Sequence, residues 1–484
     1  MRVSNGRSAR AASVCVAGVV LTGLATAMGP QAAAQETTRV LPPVAVTANP
    51  LGSELNDMIP PVSVLAAESL MLRMEPTLGE LVGSLVGVAS SYYGPNASRP
   101  VIRGFDGDRL RILQNGVGSI DASGTSVDHA VALDTLTTRR VEVVRGPGTL
   151  LYGPNALGGV VNVIDGKIPV DAPEGVSGGV EWRRSSPATE RSESAAVDVG
   201  FANGLALHVD GFRRKTSDLR IPGFARSARL RETEPLPPGE EEPRGRLVNS
   251  ASASDGASLG IGWVGRPGAV GASVTRYSSE YGTVAEEDVT IRMKQTRVEI
   301  AADRLVPTGA FRTLKLRAAH SDYEHTEFEG EEAGTVFRSK GFEARVDATH
   351  ARLGPFDGAI GVQAIDFDFS ALGDEGFLPR TRTRSLAAFV YEEATFDRWR
   401  LQLGARVDRS RVSAEEDGRF GPALTRSFGA WSASLGASVE VVKDAALVAA
   451  GHEVVRIPAI DVVRDRTRVL SELKALRISL LGGS

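Results

Sequence analysis

From about residue 170 to residue 441, small or apolar side chains alternate with polar ones, the period of a strand whose two faces meet different surroundings. Residues 195–201, 205–212, 259–264, 289–300, 314–319, 342–348, 359–369, 386–394, 401–407 and 431–441 keep that alternation. They predict about a dozen antiparallel strands. The connections alternate as well: 202–204, 265–268, 306–309, 353–358 and 396–398 are tight, whereas 215–246, 279–288, 324–334, 371–383 and 413–425 are long and charged. Tight turns at one end and long loops at the other mark a barrel that crosses a membrane with strands. A water-soluble up-and-down barrel or sandwich is the competing architecture.

Residues 60–168 follow a different, mixed pattern. Leu78, Leu81, Val82 and Leu85 recur at helical spacing, and 101–103 and 110–113 read as strands with Gly104, Gly107 and Gly116 as turns. Two β-branched segments, 140–144 and 160–164, bracket a connection rich in glycine: Gly146, Gly148, Gly153, Gly158 and Gly159, stiffened by Pro147 and Pro154. This predicts a strand, a tight turn and a strand. A phosphate-cradling loop is excluded, because no Lys-Ser or Lys-Thr follows the glycines and the next segment favours a strand over a helix. Between the strand pairs, Asp128 and His129 place a carboxylate beside an imidazole in the polar loop 123–130. That pair is the best candidate for a ligand-binding group; the plainer reading has Asp128 capping local backbone and His129 merely exposed.

The start of the chain has its own signature. Arg2, Arg7 and Arg10 precede an apolar run, 11–28, and Ala32, Ala33 and Ala34 follow, so 1–34 is expected to be a signal peptide cut before Gln35. Residues 35–59 form an extended linker. Downstream no window holds the ~18 unbroken apolar residues a spanning helix needs. Composition narrows the function. A net charge of −4 over 484 residues offers nothing for nucleic acid to bind. The one cysteine, Cys15, lies in the leader, which removes disulfides and thiolate metal sites. Six scattered histidines, with no His-Glu-x-x-His and no Gly-x-Ser-x-Gly nucleophile elbow that comes with a candidate triad, give no support for an enzyme.

The runs Arg99-Pro100-Val101-Ile102-Arg103-Gly104-Phe105, 109–116 and Val161-Asn162-Val163-Ile164 together resemble the plug domain of TonB-dependent outer-membrane receptors, across residues 40–168. The resemblance implies an α/β plug domain (60–168) followed by an antiparallel transmembrane β-barrel (169–461), in the outer membrane of a Gram-negative bacterium. It carries over to the plug-motif residues Arg103, Gly104, Arg145, Gly146, Pro147, Tyr152, Gly153, Gly158, Gly159 and Asn162. Leu41, Pro42, Pro43, Val44, Ala45, Val46 and Thr47 look like the TonB box, an extended segment that can add as a strand to a periplasmic energy-coupling protein. The implied partners are that TonB-type protein, outer-membrane lipid, and the secretion and barrel-assembly machinery, with no nucleic acid. Within the family, Asp128-His129 is similar to the zinc-uptake receptors, and Glu324 and His325, in the acidic segment 323–332, are the expected barrel ligands. That segment reads equally as a solvated acidic face. No cofactor is required. Zinc would be the transported ligand, with a siderophore or haem as the alternative.

One departure stands out. Residues 451–461 resemble a mid-barrel strand and loop entry, but 462–484 are arginine-rich and helix-like. A plugged barrel of the large type has about 22 strands. The pattern therefore implies an incomplete barrel of about a dozen strands with an atypical, possibly frame-shifted tail, and raises the alternative of a non-functional receptor remnant.

Overall fold

The β-branched segments on either side of the glycine-rich connection become the centre of a sheet. In the computed structural model, which describes residues 49–52, 58–171, 175–239, 241–286, 288–305, 310–373 and 376–439, they are β6 (Arg140–Val144) and β7 (Gly159–Ile164). The expected signal peptide, the TonB box from Leu41 to Thr47 and the 462–484 tail lie outside the described residues. Preceding β6 and β7 are β1 (Val62–Ala66), α1 (Ala67–Met71), α2 (Leu78–Gly83), β2 (Val88–Ser90), β3 (Pro100–Ile102), β4 (Leu110–Gln114) and β5 (Val117–Gly118). A five-stranded sheet runs β1-β6-β7-β4-β5, with β4 and β7 parallel and the remaining neighbours antiparallel. Val141, Val143, Val161 and Val163 pack with Leu78, Leu81, Val82, Ile102 and Leu110 into one apolar core.

The connection from β6 to β7 is not the tight turn expected. It is a 3₁₀ helix, Pro147–Tyr152, because Pro147 presets its first turn while Gly146 (φ 83°) and Gly153 (φ 120°) adopt the left-handed backbone that closes each end. Helix α2 is capped by Thr77, whose hydroxyl accepts from the Glu80 amide, and lies so close to the next segment that a Cβ on Gly79 would come within 2.7 Å of the Arg99 backbone. Gly79→Ala is expected to cost about 1–3 kcal/mol through overpacking. Amide exchange across α2 and β3 would read it, and undiminished protection would show that the contact gives way freely.

The rest of the chain forms β8 (Val176–Ser185), β9 (Glu190–Gly200), β10 (Leu205–Thr216), β11 (Leu219–Phe224), α3 (Ala228–Thr233), β12 (Arg244–Leu247), β13 (Ser252–Gly265), β14 (Gly268–Gly282), β15 (Val289–Leu305), β16 (Phe311–Glu329), β17 (Glu332–His350), β18 (Phe356–Leu372), β19 (Leu378–Phe396), β20 (Trp399–Ala414) and β21 (Leu424–Val439). Twelve of these make a single antiparallel sheet, with β8 and β21 as its edges among the described residues, while β11 and β12 pair separately inside the 215–246 connection. The strands reach further than the alternation suggested. Residues 324–334, expected as a long loop, are the ends of β16 and β17 joined at Gly330 and Glu331. Charge did not prevent a strand there because outward charges pair across the ladder: Arg338 with Glu324 at 2.8 Å, Lys340 with Asp322 at 2.5 Å.

The sheet is inside-out relative to a water-soluble protein. Arg297, Glu299, Glu343, Arg345, Gln402, Arg406 and Asp408 are buried, whereas Leu259, Ile261, Val298, Ile300, Ile360, Val362, Leu386, Leu403 and Val407 are exposed on the opposite face. A polar lumen and an apolar outer band are what a lipid-embedded barrel requires, and a sandwich would bury the second set. No helix among the described residues is long and apolar enough to cross a membrane.

The polar inner face grips the plug sheet. Arg345 and Arg406 both donate to the Leu151 carbonyl, at 2.6 and 3.0 Å. Arg297 donates to the Gly118 carbonyl (2.9 Å), Arg214 to Asp134 (3.1 Å), and Asn115 to Glu299 (2.9 Å). Glu343 accepts from Arg111 and, at 2.6 Å, from Gln363.

Candidate metal centre

The loop between β5 and β6 is held in shape before it presents any side chain outward. Asp121 accepts from the Ser123 amide (2.9 Å) and from the Ala132 amide (3.2 Å), tying the loop's two arms together. Arg99 donates to the Ser123 carbonyl at 2.6 Å. From the wall, the Tyr281 hydroxyl on β14 accepts from the Ala130 amide (2.9 Å) and donates to the Asp128 carbonyl (3.3 Å). Between those two anchored positions lies His129, which leaves His129 only one direction, toward β16.

There it meets two side chains that strand geometry places together. On β16, Tyr323, His325 and Glu327 share the inward face because successive side chains alternate. His129 Nε2 lies 2.9 Å from Glu327 Oε1, and His325 Nε2 lies 3.9 Å from the same oxygen. One donor atom from each of the three residues falls within 4.8 Å of the others. The two imidazoles meet edge-on at 4.5 Å, and Phe337 of β17 stacks on His325 at 4.4 Å, closing the apolar side of the cluster. His129 and His325 are 1% and 0% exposed, so water does not compete for their nitrogens.

The far nitrogens explain why these rings could hold a cation. His129 Nδ1 lies 3.1 Å from the Ala122 carbonyl, to which it can only donate, so Nδ1 carries a hydrogen and Nε2 is the nitrogen turned toward the carboxylate. His325 Nδ1 lies 2.7 Å from the Tyr323 hydroxyl, and its Nε2 is buried with no hydrogen-bond partner among the described residues. Each ring is thus oriented by an outer partner at one nitrogen while the other faces the shared centre, the arrangement by which outer hydrogen bonds tune a metal-binding imidazole. Two acceptors, His129 Nε2 and Glu327 Oε1, approach closely only if a proton or a cation lies between them. In a tetrahedron with bonds of ~2.1 Å, donor atoms stand about 3.4 Å apart, so the trio needs only small side-chain shifts to close on an ion.

The expected ligands divide. His129 and His325 come together here, one from the plug and one from the wall. Asp128 does not join them: its carboxylate accepts from the Ser126 hydroxyl and caps the local turn. Glu324 is turned to the outer face by alternation and pairs with Arg338. Glu327, which the sequence did not single out, supplies the carboxylate that stands beside the two imidazoles. Its signal was available in the i, i+2 spacing from His325, but that spacing has meaning only once 324–329 is read as strand.

The plug-motif residues serve the architecture. Arg145 donates to the Val86 carbonyl and the Ser63 hydroxyl, while burial, and then the charge of Arg103, holds its guanidinium below its ordinary value. Asn162 accepts from the Gly116 amide at 3.0 Å and donates to Glu142 at 3.4 Å. Tyr152 is buried beneath the Arg345 guanidinium, 4.6 Å away. Arg103 and Gly104 form the turn after β3, both at positive φ, and Gly158 and Gly159 press against Phe105 and Ile102. Beside the loop, a cavity of about 340 Å³ opens between Asp121, Ser123 and Gly124 of the plug and Glu343, Gln363 and Arg406 of the wall.

Comparison with known proteins agrees with this division. Residues 54–160 match the TonB-dependent receptor plug domain, and 239–465 match the TonB dependent receptor-like beta-barrel. The vitamin B12 transporter BtuB of Vibrio vulnificus is 28% identical over 181 residues, a stretch covering 37% of this chain and 28% of that protein. That of Photobacterium profundum is 31% identical over 136 residues, covering 28% and 22%. Among solved structures, the copper transporter OprC superposes with a TM-score of 0.63 at 15% identity, over 79% of this chain and 60% of that one. The ferric citrate transporter FecA gives 0.58 at 15% identity, over 80% and 61%. At such identities the structures establish a shared fold. The chain spans less than two thirds of the length of these relatives.

Proposed function

Since the chain carries both the plug and the barrel of the TonB-dependent receptors and so belongs to that family of outer-membrane transport proteins, which are not enzymes, we propose that it takes part in energy-coupled uptake of a divalent metal, zinc first. The observation that carries the reading is the convergence of His129, His325 and Glu327 from two domains onto one buried point. Two imidazole nitrogens and a carboxylate oxygen suit zinc, whereas a magnesium or calcium site would be built of oxygen. A metal captured there bridges plug and wall. Motion of the plug, driven by a TonB-type protein pulling on the segment Leu41 to Thr47, would separate His129 from the other two ligands and release the ion inward. Splitting the ligands between two bodies makes that release a mechanical step.

Vitamin B12 is the second reading, favoured by what the Vibrio and Photobacterium relatives transport. Titrating the purified chain in detergent with Zn²⁺, Cu²⁺ and cyanocobalamin separates the two. Saturable, chelator-reversible Zn²⁺ binding at one equivalent, kept by Glu324→Gln and lost by Glu327→Gln, is the expected result. Saturable cyanocobalamin binding with none of Zn²⁺ would replace it.

A further inference from the structure

The outward charges near the loop end of the wall are not distributed evenly. From β14 to β17 three basic side chains face an acid across the ladder, Arg292 opposite Glu280, Lys340 opposite Asp322 and Arg338 opposite Glu324, while Arg276 stands alone opposite Thr296 with no second arginine beside it. From β18 to β21 the pattern breaks. Asp366 is shared by Arg382 (2.8 Å) and Arg384 (3.3 Å), and the next strand adds two more arginines rather than an acid. Arg384 stands directly opposite Arg411, with Arg409 one step down the same face opposite Leu386. Like charges placed opposite each other in a ladder are destabilising unless something neutralises them. Arg409 and Arg411 are exposed and have no carboxylate within ion-pair distance among the described residues. Their neighbours on β21 are Gly429 and Ser427, too small to cover them.

The surface below is equally particular. Leu386 and Val407 continue the same outward face, and Trp431 lies opposite Val407; the three are 63%, 51% and 80% exposed. With ~7 Å between same-face neighbours on a strand, the cationic cluster sits immediately above the apolar band. We propose that Arg384, Arg409 and Arg411 form a site for the phosphate head of an outer-leaflet lipid whose acyl chains lie along Leu386, Val407 and Trp431. Guanidinium forks match phosphate oxygens in pairs, and a lipid supplies both the missing anion and cover for the exposed apolar surface. Free phosphate would satisfy only the upper half. This site is separate from the metal centre and does not rest on it.

The full chain in a neutral detergent, examined by native mass spectrometry with diphosphoryl lipid A and with its dephosphorylated counterpart, tests the proposal. The phosphorylated lipid is expected to be retained in preference, and the Arg409→Gln/Arg411→Gln double variant to lose roughly 10- to 30-fold in affinity for it. Arg409→Lys/Arg411→Lys should stay within about threefold, because charge is kept, and Arg338→Gln/Lys340→Gln, in the paired sector, within about twofold. Equal retention of both lipids, equal affinity in the Gln double variant, or an equal loss in the paired-sector control overturns the site. So does lipid retention fully displaced by millimolar inorganic phosphate. Zn²⁺ titration of the same samples reports on the other centre independently.

Discussion

Replacing His325 by alanine is expected to weaken zinc binding by about 100-fold or more, since loss of an outer hydrogen bond alone costs about 10- to 100-fold and this change removes a ligand. In free energy that is about 2.7 kcal/mol or more. His129→Ala should match it, because each imidazole supplies one of the three protein donors that the described residues bring together. Asp128→Ala should change affinity by less than about threefold, since its carboxylate is engaged with Ser126. Competition against a chelator of known affinity, on folded protein in detergent, reads all three. Stability adds a second readout. His325 Nε2 is buried without a hydrogen-bond partner among the described residues, and such an atom costs about 1–3 kcal/mol, so substitution by a residue of similar volume such as His325→Leu should leave the fold at least as stable while abolishing binding. If His325→Ala bound zinc as the parent does, the assignment of this cluster to metal would be lost.

The second large effect concerns the joint between the two domains. Glu343 is fully buried on β17, accepting from Arg111 of the plug strand β4 and from Gln363 on β18. Glu343→Ala is expected to cost about 3–5 kcal/mol, the usual consequence of stranding one member of a buried ion pair. Arg111 is 22% exposed, which lets water relieve part of the penalty and places the value near the lower bound. Glu343→Gln keeps an acceptor oxygen and should cost only about 1–2 kcal/mol. The double variant Glu343→Leu/Arg111→Leu should recover much of the loss, because neither charge is then left alone in the interface. Hydrogen exchange of β4 and β7, compared with that of β17, would show whether the plug loosens before the wall. Equal exchange in Glu343→Ala and the parent would mean that this pair does not hold the plug.

Both predictions depend on features that differ in how far the chain announces them. The two-residue alternation after residue 170 and the valine-rich segments around Gly146 to Gly159 were enough to give the wall and the plug sheet, because each is a local preference repeated many times. His129 was legible as a candidate because it sets an imidazole next to a carboxylate in a polar loop. The sequence does not separate Glu324 from Glu327 for one reason: the charged residues in 324–334 favour a loop, and in a loop no side chain has a fixed face. Once β16 runs to Glu329, alternation sends Glu324 out to Arg338 and brings Glu327 in beside His325.

By itself, then, the sequence determined the period of the wall, the β-rich centre of the plug and the residue types able to bind a metal, all of which follow from side chains within a few positions of each other. Tertiary structure alone decided the meeting of His129 with His325, 196 positions later, the burial of Glu343 against Arg111, and the placing of Arg409 and Arg411 on one outward face beside Arg384. The reason is that inter-strand register and the docking of the plug set which distant side chains share a face, and no local preference encodes either one.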